Sequence, residues 1–217
     1  MTEPTSASLH DQIAAFRRQR AGAMPFEEFE KQHAERVNGL QATSTGAALQ
    51  VGEAAPDFTL PDAYGKPVNL FTLLKAGPVV LTFYRGDWCP YCNLALRAYQ
   101  AILPEITALH ANLVAVSPQD PDHTLLTAEH KELTYPVLSD AGNHVARQYT
   151  LVRNIPETER SLDLGRYNGD DNPRQLPAPG TFVIARDGKV TLAFVNVDFT
   201  QRLEPAAILD ALRSLTS

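Results

Sequence analysis

Cys89 and Cys92 are the residues of this sequence whose type and spacing point most directly to chemistry. They are its only two cysteines, and Pro90 and Tyr91 separate them. The pair follows a continuous apolar run at residues 78–84, typical of a buried strand, and precedes apolar residues at helical spacing. Cysteines three residues apart on a first helical turn are near enough to form a disulfide. The pattern predicts a redox-active dithiol at a strand-to-helix junction.

The N-terminus of a helix is a setting that makes a thiol reactive. The positive end of the helix dipole and the unpaired backbone N–H groups favour the thiolate, which is the nucleophilic form of cysteine. Pro90 suits the first helical turn, where its missing N–H has no cost. One sulfur can then attack an oxidant or a disulfide, and the other can resolve the product. The hypothesis requires that solvent reaches a sulfur and that the second sulfur lies close enough to bridge.

Two other interpretations of the pair are a metal site and a pair of inert buried cysteines. Structural zinc needs four ligands, but the sequence has no second cysteine pair, and its six histidines lack the spacing of a zinc site. Inert burial does not explain why the pair lies between a strand and a helix. We therefore expect redox chemistry, with no metal and no other cofactor.

The residues beside the pair leave alternatives open. Arg85 either lies near the thiolate and lowers its pKa, or pairs with Asp87 or another carboxylate. Trp88 and Tyr91 either shape a substrate surface or pack beneath it. For Trp88 packing is favoured, because a large aromatic ring gains most from burial.

Composition narrows the class of protein. The 217 residues contain 25 acidic and 19 basic side chains, for a formal net charge of -6, and no basic run long enough for a nucleic-acid groove. No apolar segment reaches the ~18 residues of a membrane span, and the first residues lack the features of a secretory signal. We predict a cytoplasmic protein that binds neither nucleic acid nor membrane. In a reducing compartment, the dithiol is more consistent with catalysis than with a structural disulfide.

Residues 1–50 are predicted to form an N-terminal helical extension and linker. Leu9, Ile13 and Phe16 recur at helical spacing, and a second apolar set follows Pro25, which suits the start of a helix. These two amphipathic helices either pack on the main domain or pair with a second subunit. Residues 39–48, rich in Gly, Ser, Thr and Ala, are predicted to be a linker.

Residues 51–217 are predicted to form one α/β domain with a thioredoxin-like fold. Strands and helices alternate first, and a hairpin and a closing helix follow, which predicts a mixed central sheet between helices. Asp122 is the expected cap of a helix over residues 122–133. The segment 154–179 is a long polar loop of the kind that is often functional. The polar groups of the segment 198–202 either serve a site or form an edge turn, and we favour the edge turn.

Three stretches carry a resemblance to a known family. They are residues 51–60 (VGEAAPDFTL), 83–93 (FYRGDWCPYCN) and 180–184 (GTFVI). From about Val51 to Leu215 the chain resembles the alkyl hydroperoxide reductase/thiol-specific antioxidant (AhpC/TSA) branch of the thioredoxin superfamily. It is most similar to the peroxiredoxin-like members that carry a CxxC pair and an N-terminal helical extension.

The resemblance implies roles for individual residues. Cys92 matches the peroxidatic cysteine, which attacks peroxide and becomes a sulfenic acid. Cys89, Arg85 and Pro179 stand where peroxiredoxins keep a Thr, a Pro and an Arg. Arginines of the 153–174 region (Arg153, Arg160, Arg166 and Arg174) are candidates for the positive charge that Pro179 does not supply.

The same departures resemble thioredoxin and glutaredoxin. Cys-Pro-Tyr-Cys is similar to the glutaredoxin dithiol, and Pro179 is similar to the cis-proline that faces the thioredoxin dithiol. In that arrangement Cys89 attacks and Cys92 resolves, whereas in the peroxiredoxin arrangement the roles reverse. The sequence leaves both orders open.

The dithiol and the resemblance lead to three candidate functions. The first is a thiol-dependent peroxidase that reduces hydrogen peroxide or organic hydroperoxides, regenerated by thioredoxin or a glutathione-type thiol. The second is a thiol–disulfide oxidoreductase that acts on protein or glutathione disulfides. The third is a sensor whose dithiol changes a partner interface. The resemblance also implies a homodimer, the commonest assembly of soluble proteins.

Overall fold

The centre of the molecule is a five-stranded mixed β-sheet. In the computed structural model, which describes residues 7–43, 46–155, 165–168 and 174–215, its strand order is β5-β4-β3-β8-β9. Its strands, in chain order, are β3 (Val79–Phe83), β4 (Asn112–Ser117), β5 (Val137–Ser139), β8 (Gly180–Ile184) and β9 (Val190–Val195). Two short hairpins lie outside it: β1 (Thr59–Pro61) with β2 (Pro67–Asn69), and β6 (Val152–Asn154) with β7 (Gln175–Pro177).

Strand β3 is the middle of the sheet and is buried along its whole length. It pairs in parallel with β4 and antiparallel with β8. This confirms the predicted mixed sheet, and the apolar run that ends at Phe83 is the central strand that delivers the dithiol. Because β3 is buried on both faces, its sequence reads as continuously apolar rather than alternating.

Helices cover both faces of the sheet. One face carries α3 (Leu70–Ala76) and α7 (His144–Gln148), which contribute Leu70 and Val145 to its core. The other carries α4 (Pro90–Ala101), α5 (Leu103–Ala108), α6 (Pro121–His130) and α9 (Pro205–Ser214). The α/β thioredoxin-like sandwich predicted from the sequence is confirmed.

The N-terminal segment forms α1 (Leu9–Ala21) and α2 (Phe26–Ala42). Leu9, Ile13 and Leu40 are buried in the same apolar core as the two cysteines, so these helices pack on the main domain. Residues 39–42 belong to α2, and the predicted linker therefore begins too early. The burial of Leu40 extends the helix past Gly39, because packing outweighs the low helix propensity of glycine.

The cap of α6 also differs from the prediction. Asp120, not Asp122, is the N-cap, and its carboxylate accepts the backbone N–H of His123 at 2.8 Å. Pro121 occupies the first turn, where proline is favoured, and this places the cap one residue before it. Pro104 lies in the first turn of the separate helix α5.

The predicted 154–179 loop contains ordered elements. Its described parts include the end of β6, the short helix α8 (Gly165–Asn168) and strand β7. Residues 156–164 and 169–173 lie outside the described residues. No helix in the described part of the chain has the length and apolar character needed to cross a membrane.

Candidate active site

The loop between β3 and α4 places Cys89 at the N-cap of α4 and Pro90 in its first turn. The Cys89 N–H donates to the carbonyl of Gly86 at 3.1 Å. Gly86 has a positive φ of 142°, and a Cβ there would lie 2.4 Å from Nε1 of Trp88. Glycine is therefore required at this turn for its backbone conformation and for the close approach of the indole.

A buried glutamine without any local sequence signal holds the loop. Gln119 follows β4; its side-chain oxygen accepts the Asp87 N–H at 3.0 Å, and its Nε2 donates to the Asp87 carboxylate at 3.1 Å. Asn93 donates to the Asp87 carbonyl at 2.7 Å. Asp87 thus fixes the dithiol loop and leaves Arg85 to other contacts.

The Cys92 sulfur accepts hydrogen bonds from several donors. Nη2 of Arg202 lies 3.1 Å from Sγ, and the backbone N–H of Arg85 donates to the same sulfur at 3.5 Å. The neighbouring Cys89 thiol also donates to it. Both cysteines are free thiols, and this arrangement holds them side by side.

These contacts give the two sulfurs opposite acidities. Burial by itself raises the pKa of Cys92, but the Cys89 thiol, the charge of Arg202 and the Arg85 N–H outweigh it and lower that pKa to about 5. Burial raises the pKa of Cys89 well above its usual value, and the hydrogen bond to Cys92 raises it further. Since the thiolate is the nucleophile, the site is arranged to ionise Cys92 first.

Solvent access differs from the expectation. Cys89 is 1% exposed and Cys92 0%, so both sulfurs are buried and the expectation that solvent reaches one of them is wrong. The cause is that α1, α2 and the 198–202 segment lie over the start of α4, which the sequence pattern did not reveal. A cavity of about 430 Å³ between α2 and the dithiol loop is nevertheless lined by Cys89.

The position of Arg85 distinguishes between a place near the thiolate and an ion pair with Asp87. Its guanidinium is not paired with Asp87 but lies over the rings of Trp88 and Phe199, 5.0 Å and 4.4 Å from their centroids. It is buried, and its charge helps to lower the pKa of Cys92 and partly offsets the rise in the pKa of Cys89. The structure therefore brings Arg85 into the site as a cation held between two aromatic faces.

The two aromatic residues of the motif, Trp88 and Tyr91, differ in burial, and both line the cavity beside Cys89. Tyr91 is buried and makes edge contact with Phe16 of α1, with 5.4 Å between ring centroids. Trp88 is half-buried, and its indole nitrogen has no hydrogen-bond partner among the described residues. Trp88, Pro90 and Tyr91 all line the cavity that reaches Cys89.

Pro179 lies near the site without the predicted geometry. The Ala178–Pro179 peptide bond is trans, so the predicted cis-proline is wrong. Strand β8 begins at Gly180, directly after Pro179, and the Ala178 N–H donates to the carbonyl of Leu151 at 2.8 Å. Pro179 and Arg85 both line a small cavity beneath Phe199.

Of the four loop arginines, the two with described side chains contact backbone carbonyls of their own region. Arg153 donates to the carbonyls of Thr150 and Val152, and Arg174 donates to that of Ile155. Arg160 and the side chain of Arg166 lie outside the described residues. The positive charge at Cys92 comes from Arg202. This residue lies in the segment 198–202, for which the sequence favours an edge turn.

The segment that carries Arg202 is tied to the N-terminal helices. Asp198 accepts His33 of α2 at 2.9 Å and the N–H of Thr200 at 2.9 Å. Arg17 of α1 donates to the Thr200 hydroxyl at 2.8 Å. Glu204 accepts the backbone N–H of His10 at 2.6 Å. The extension therefore helps to position the guanidinium on Cys92.

No three Cys, His, Asp or Glu side chains of the described residues come together in the way that a metal site requires. The stabilised thiolate and its neighbouring thiol, at the start of a helix that follows the central strand, define a thiol redox protein of the thioredoxin-like class. The family model described as the AhpC/TSA family matches residues 51–193. The chain belongs to this family, and it is a thiol-dependent peroxidase of the peroxiredoxin type.

Individual relatives agree with this assignment. A protein of Mycobacterium tuberculosis named as a putative peroxiredoxin is 31% identical over 170 residues, which are 78% of this chain and 99% of the relative. The chloroplastic peroxiredoxin Q of Gentiana triflora is 29% identical, over 70% of this chain and 62% of the relative. The crystal structure of peroxidoxin BcpB from M. tuberculosis superposes with a TM-score of 0.63 at 28% identity, covering 78% of this chain and 99% of that one. Helices α1 and α2 precede the residues that the family model matches.

Proposed function

We propose that Cys92 is the peroxidatic sulfur and that Cys89 resolves the product. The observation that carries this assignment is the Arg202 guanidinium 3.1 Å from the Cys92 sulfur, together with a pKa of Cys92 lowered to about 5. At neutral pH Cys92 is then ionised while Cys89 keeps its proton. The peroxiredoxin order of roles is thereby favoured over the thioredoxin order, which needs Cys89 as the thiolate.

The cycle that follows balances in atoms and electrons. The Cys92 thiolate attacks one oxygen of ROOH, the O–O bond breaks, and with one proton from solvent the products are Cys92 sulfenic acid and ROH. The Cys89 thiol then displaces water from the sulfenic acid, which forms the Cys89–Cys92 disulfide. Two equivalents of an external thiol reduce this disulfide and become oxidised themselves.

Arg85 and Arg202 have electrostatic roles in this proposal. Both guanidinium groups are placed to stabilise the thiolate and the negative charge that develops on the departing oxygen. Trp88, Pro90, Tyr91 and Pro179 shape the surroundings of the dithiol. Because Cys92 is buried, small hydroperoxides have the advantage over bulky ones.

The remaining parts of the proposal concern surroundings and partners. A thioredoxin or glutathione-type thiol serves as reductant, and the cytoplasm, which keeps thiols reduced, is the proposed compartment. Homodimer formation stays a prediction.

Stopped-flow oxidation tests the assignment. Trp88, the only tryptophan, lies beside the dithiol and reports its oxidation by fluorescence. We expect rapid oxidation of the reduced protein by hydrogen peroxide. The Cys89→Ser variant should stop at a sulfenic acid that a dimedone-type reagent traps on Cys92, and the Cys92→Ser variant should not react. A wild-type rate equal to that of a free thiol, or a sulfenic acid on Cys89, would overturn the assignment.

A further inference from the structure

The largest feature at the dithiol that the peroxidase cycle does not yet use is the cavity of about 430 Å³ that α2 completes. Its volume is within the roughly 300–1,000 Å³ typical of small-molecule sites. Of the two sulfurs it is lined by Cys89 and not by Cys92. A molecule bound there therefore meets the sulfur to which we assign the resolving role.

The chemistry of the walls selects a type of ligand. Arg20, Arg36 and Arg85 are all among the lining residues, and none of the described residues that line the cavity carries a carboxylate. Arg85 is buried at the inner end, between Trp88 and Phe199. Arg20 and Arg36 are exposed residues at the outer end. A positive potential in a partly enclosed site favours an anion, and Arg is suited to carboxylate recognition.

The rest of the lining is apolar and aromatic. Met24, Phe29 and Tyr91 contribute to it. The site therefore suits a small molecule with an apolar body and at least one carboxylate.

The disulfide itself determines which sulfur such a molecule attacks. In thiol–disulfide exchange the thiolate that departs more readily is the one with the lower pKa. Attack on Cys89 expels Cys92, whose thiolate Arg202 and the Arg85 N–H stabilise. Attack on Cys92 would instead expel Cys89, whose sulfur has no such donors in the described part of the chain. The cavity gives access to Cys89, and Cys92 is the better leaving group, so both factors favour attack on Cys89.

We propose that this cavity is the binding site of the reductant, a small carboxylate-bearing thiol that attacks Cys89 of the disulfide. The proposal rests on the proposed function, since it needs the Cys89–Cys92 disulfide. The thiolate RS⁻ bonds to Cys89, the Cys89–Cys92 bond breaks, and its electron pair leaves on Cys92. A second RS⁻ then attacks the sulfur of the bound RS group, which gives RSSR and the Cys89 thiolate, and this takes a proton.

The test measures reduction separately from peroxidase activity. The disulfide is formed with diamide, so a protein that makes it with diamide but not with peroxide contradicts the proposed function alone. Reduction is then followed by Trp88 fluorescence with 3-mercaptopropionate and with its methyl ester, each at equal thiolate concentration. We expect the acid to react at least threefold faster than the ester, with the advantage reduced by added salt.

Paired arginine variants locate the effect. Arg20→Gln should lower the preference for the acid about two- to fivefold, in the range that exposed charges give. Arg18→Gln changes the same charge on the same helix, but Arg18 is not among the residues that line this cavity, so that variant should keep the wild-type preference. Equal rates for acid and ester, or equal losses in both variants, would overturn the proposal.

Two further arms identify the attacked sulfur and the type of ligand. Rapid acid quench and mass spectrometry should find the mercaptopropionate adduct on Cys89, and an adduct on Cys92 would contradict the proposal. A fatty-acid hydroperoxide and its methyl ester should oxidise the reduced protein at similar rates. A carboxylate preference in this oxidation step but not in reduction would mean that the cavity receives the oxidant, and the proposal would be wrong.

Discussion

Nη2 of Arg202 lies 3.1 Å from Sγ of Cys92, although 110 residues separate the two in the chain. The contact joins the segment that follows strand β9 to the first turn of helix α4, which follows strand β3. It brings a permanent cation to a sulfur that is fully buried. In such surroundings an opposite charge is screened weakly, and its effect on the thiolate is correspondingly large.

Replacement of Arg202 by Met is expected to raise the pKa of Cys92 by about 1–3 units, the usual effect of losing an opposite charge at close range. The rate of oxidation by hydrogen peroxide at pH 6 should then fall roughly two- to ninetyfold across that range of shifts from a pKa of about 5, because the thiolate fraction controls reactivity. Arg202→Lys should retain part of the rate. Arg186→Met, which removes an exposed arginine that bonds the Ala76 carbonyl, is the control. An unchanged titration of Cys92 in Arg202→Met would contradict this role.

The Cys89 thiol donates a hydrogen bond that also favours the Cys92 thiolate, and two substitutions separate this bond from the volume of the side chain. Cys89→Ser keeps a donor, whereas Cys89→Ala removes it. We expect the pKa of Cys92, followed by ultraviolet absorbance of the single remaining thiol, to be lower in the serine variant than in the alanine variant. The reverse order, or equal values, would show that the Cys89 donor does not stabilise the thiolate.

Stability should depend on pH through the same sulfur. Folding lowers the pKa of Cys92 from 9.0 to about 5, so the thiolate stabilises the folded protein fully above the unfolded pKa. That stabilisation is lost as the pH falls toward about 5. Cys89, whose pKa is raised, stays neutral in both states over this range. The free energy of unfolding by urea should therefore rise from pH 5 to pH 8 more steeply in the reduced wild type than in Cys92→Ser, and parallel curves would contradict the lowered pKa.

Local signals were sufficient to predict the strand, the dithiol and the helix that follows. The apolar run that ends at Phe83, the Cys89–Cys92 spacing and the position of Pro90 are all properties of neighbouring residues. Arg202 was missed because its role arises from a contact between distant parts of the chain, and a polar segment after a strand resembles an ordinary turn. No local pattern distinguishes a turn that faces solvent from one that lies on a buried sulfur.

The covering of the site was missed for a related reason. The amphipathic spacing of Leu9 and Ile13 predicts a helix with one buried face, but not the surface on which that face packs. His33 shows the same limit, since its bond to Asp198 depends on where α2 docks. By contrast, the Asp120 cap had a local signal in Pro121, which favours the first helical turn.

Asp198 links the N-terminal extension to the segment that holds Arg202, and its substitution should affect Cys92 indirectly. The carboxylate accepts His33, the Thr200 N–H and the Thr200 hydroxyl. Asp198→Asn weakens these charge-assisted bonds, and we expect a loss of about 1–3 kcal/mol in the free energy of unfolding. We also expect a higher pKa of Cys92.

Asp62→Asn is the control for this prediction. It alters a comparable turn carboxylate in the β1–β2 hairpin, which accepts the N–H groups of Tyr64 and Lys66, and it should leave the Cys92 titration unchanged. An unchanged pKa of Cys92 in Asp198→Asn would show that Asp198 does not help to position Arg202 on the Cys92 sulfur.

Ile13 tests whether α1 controls access to the dithiol. Its side chain is 6% exposed and lies in the core cluster that contains both cysteines. Ile13→Ala should cost roughly 2–5 kcal/mol of stability, as other large-to-small core substitutions do.

Looser packing of α1 should also speed the reaction of Cys89 with a bulky maleimide, measured by mass spectrometry under conditions where the protein stays folded. Gln19→Ala alters an exposed residue of the same helix and should change stability by less than about 0.5 kcal/mol and leave this reactivity unchanged. If α1 covers Cys89, the reactivity of that sulfur must depend on how firmly α1 packs. Equal maleimide rates in Ile13→Ala and Gln19→Ala would therefore mean that α1 stabilises the domain without restricting access to Cys89.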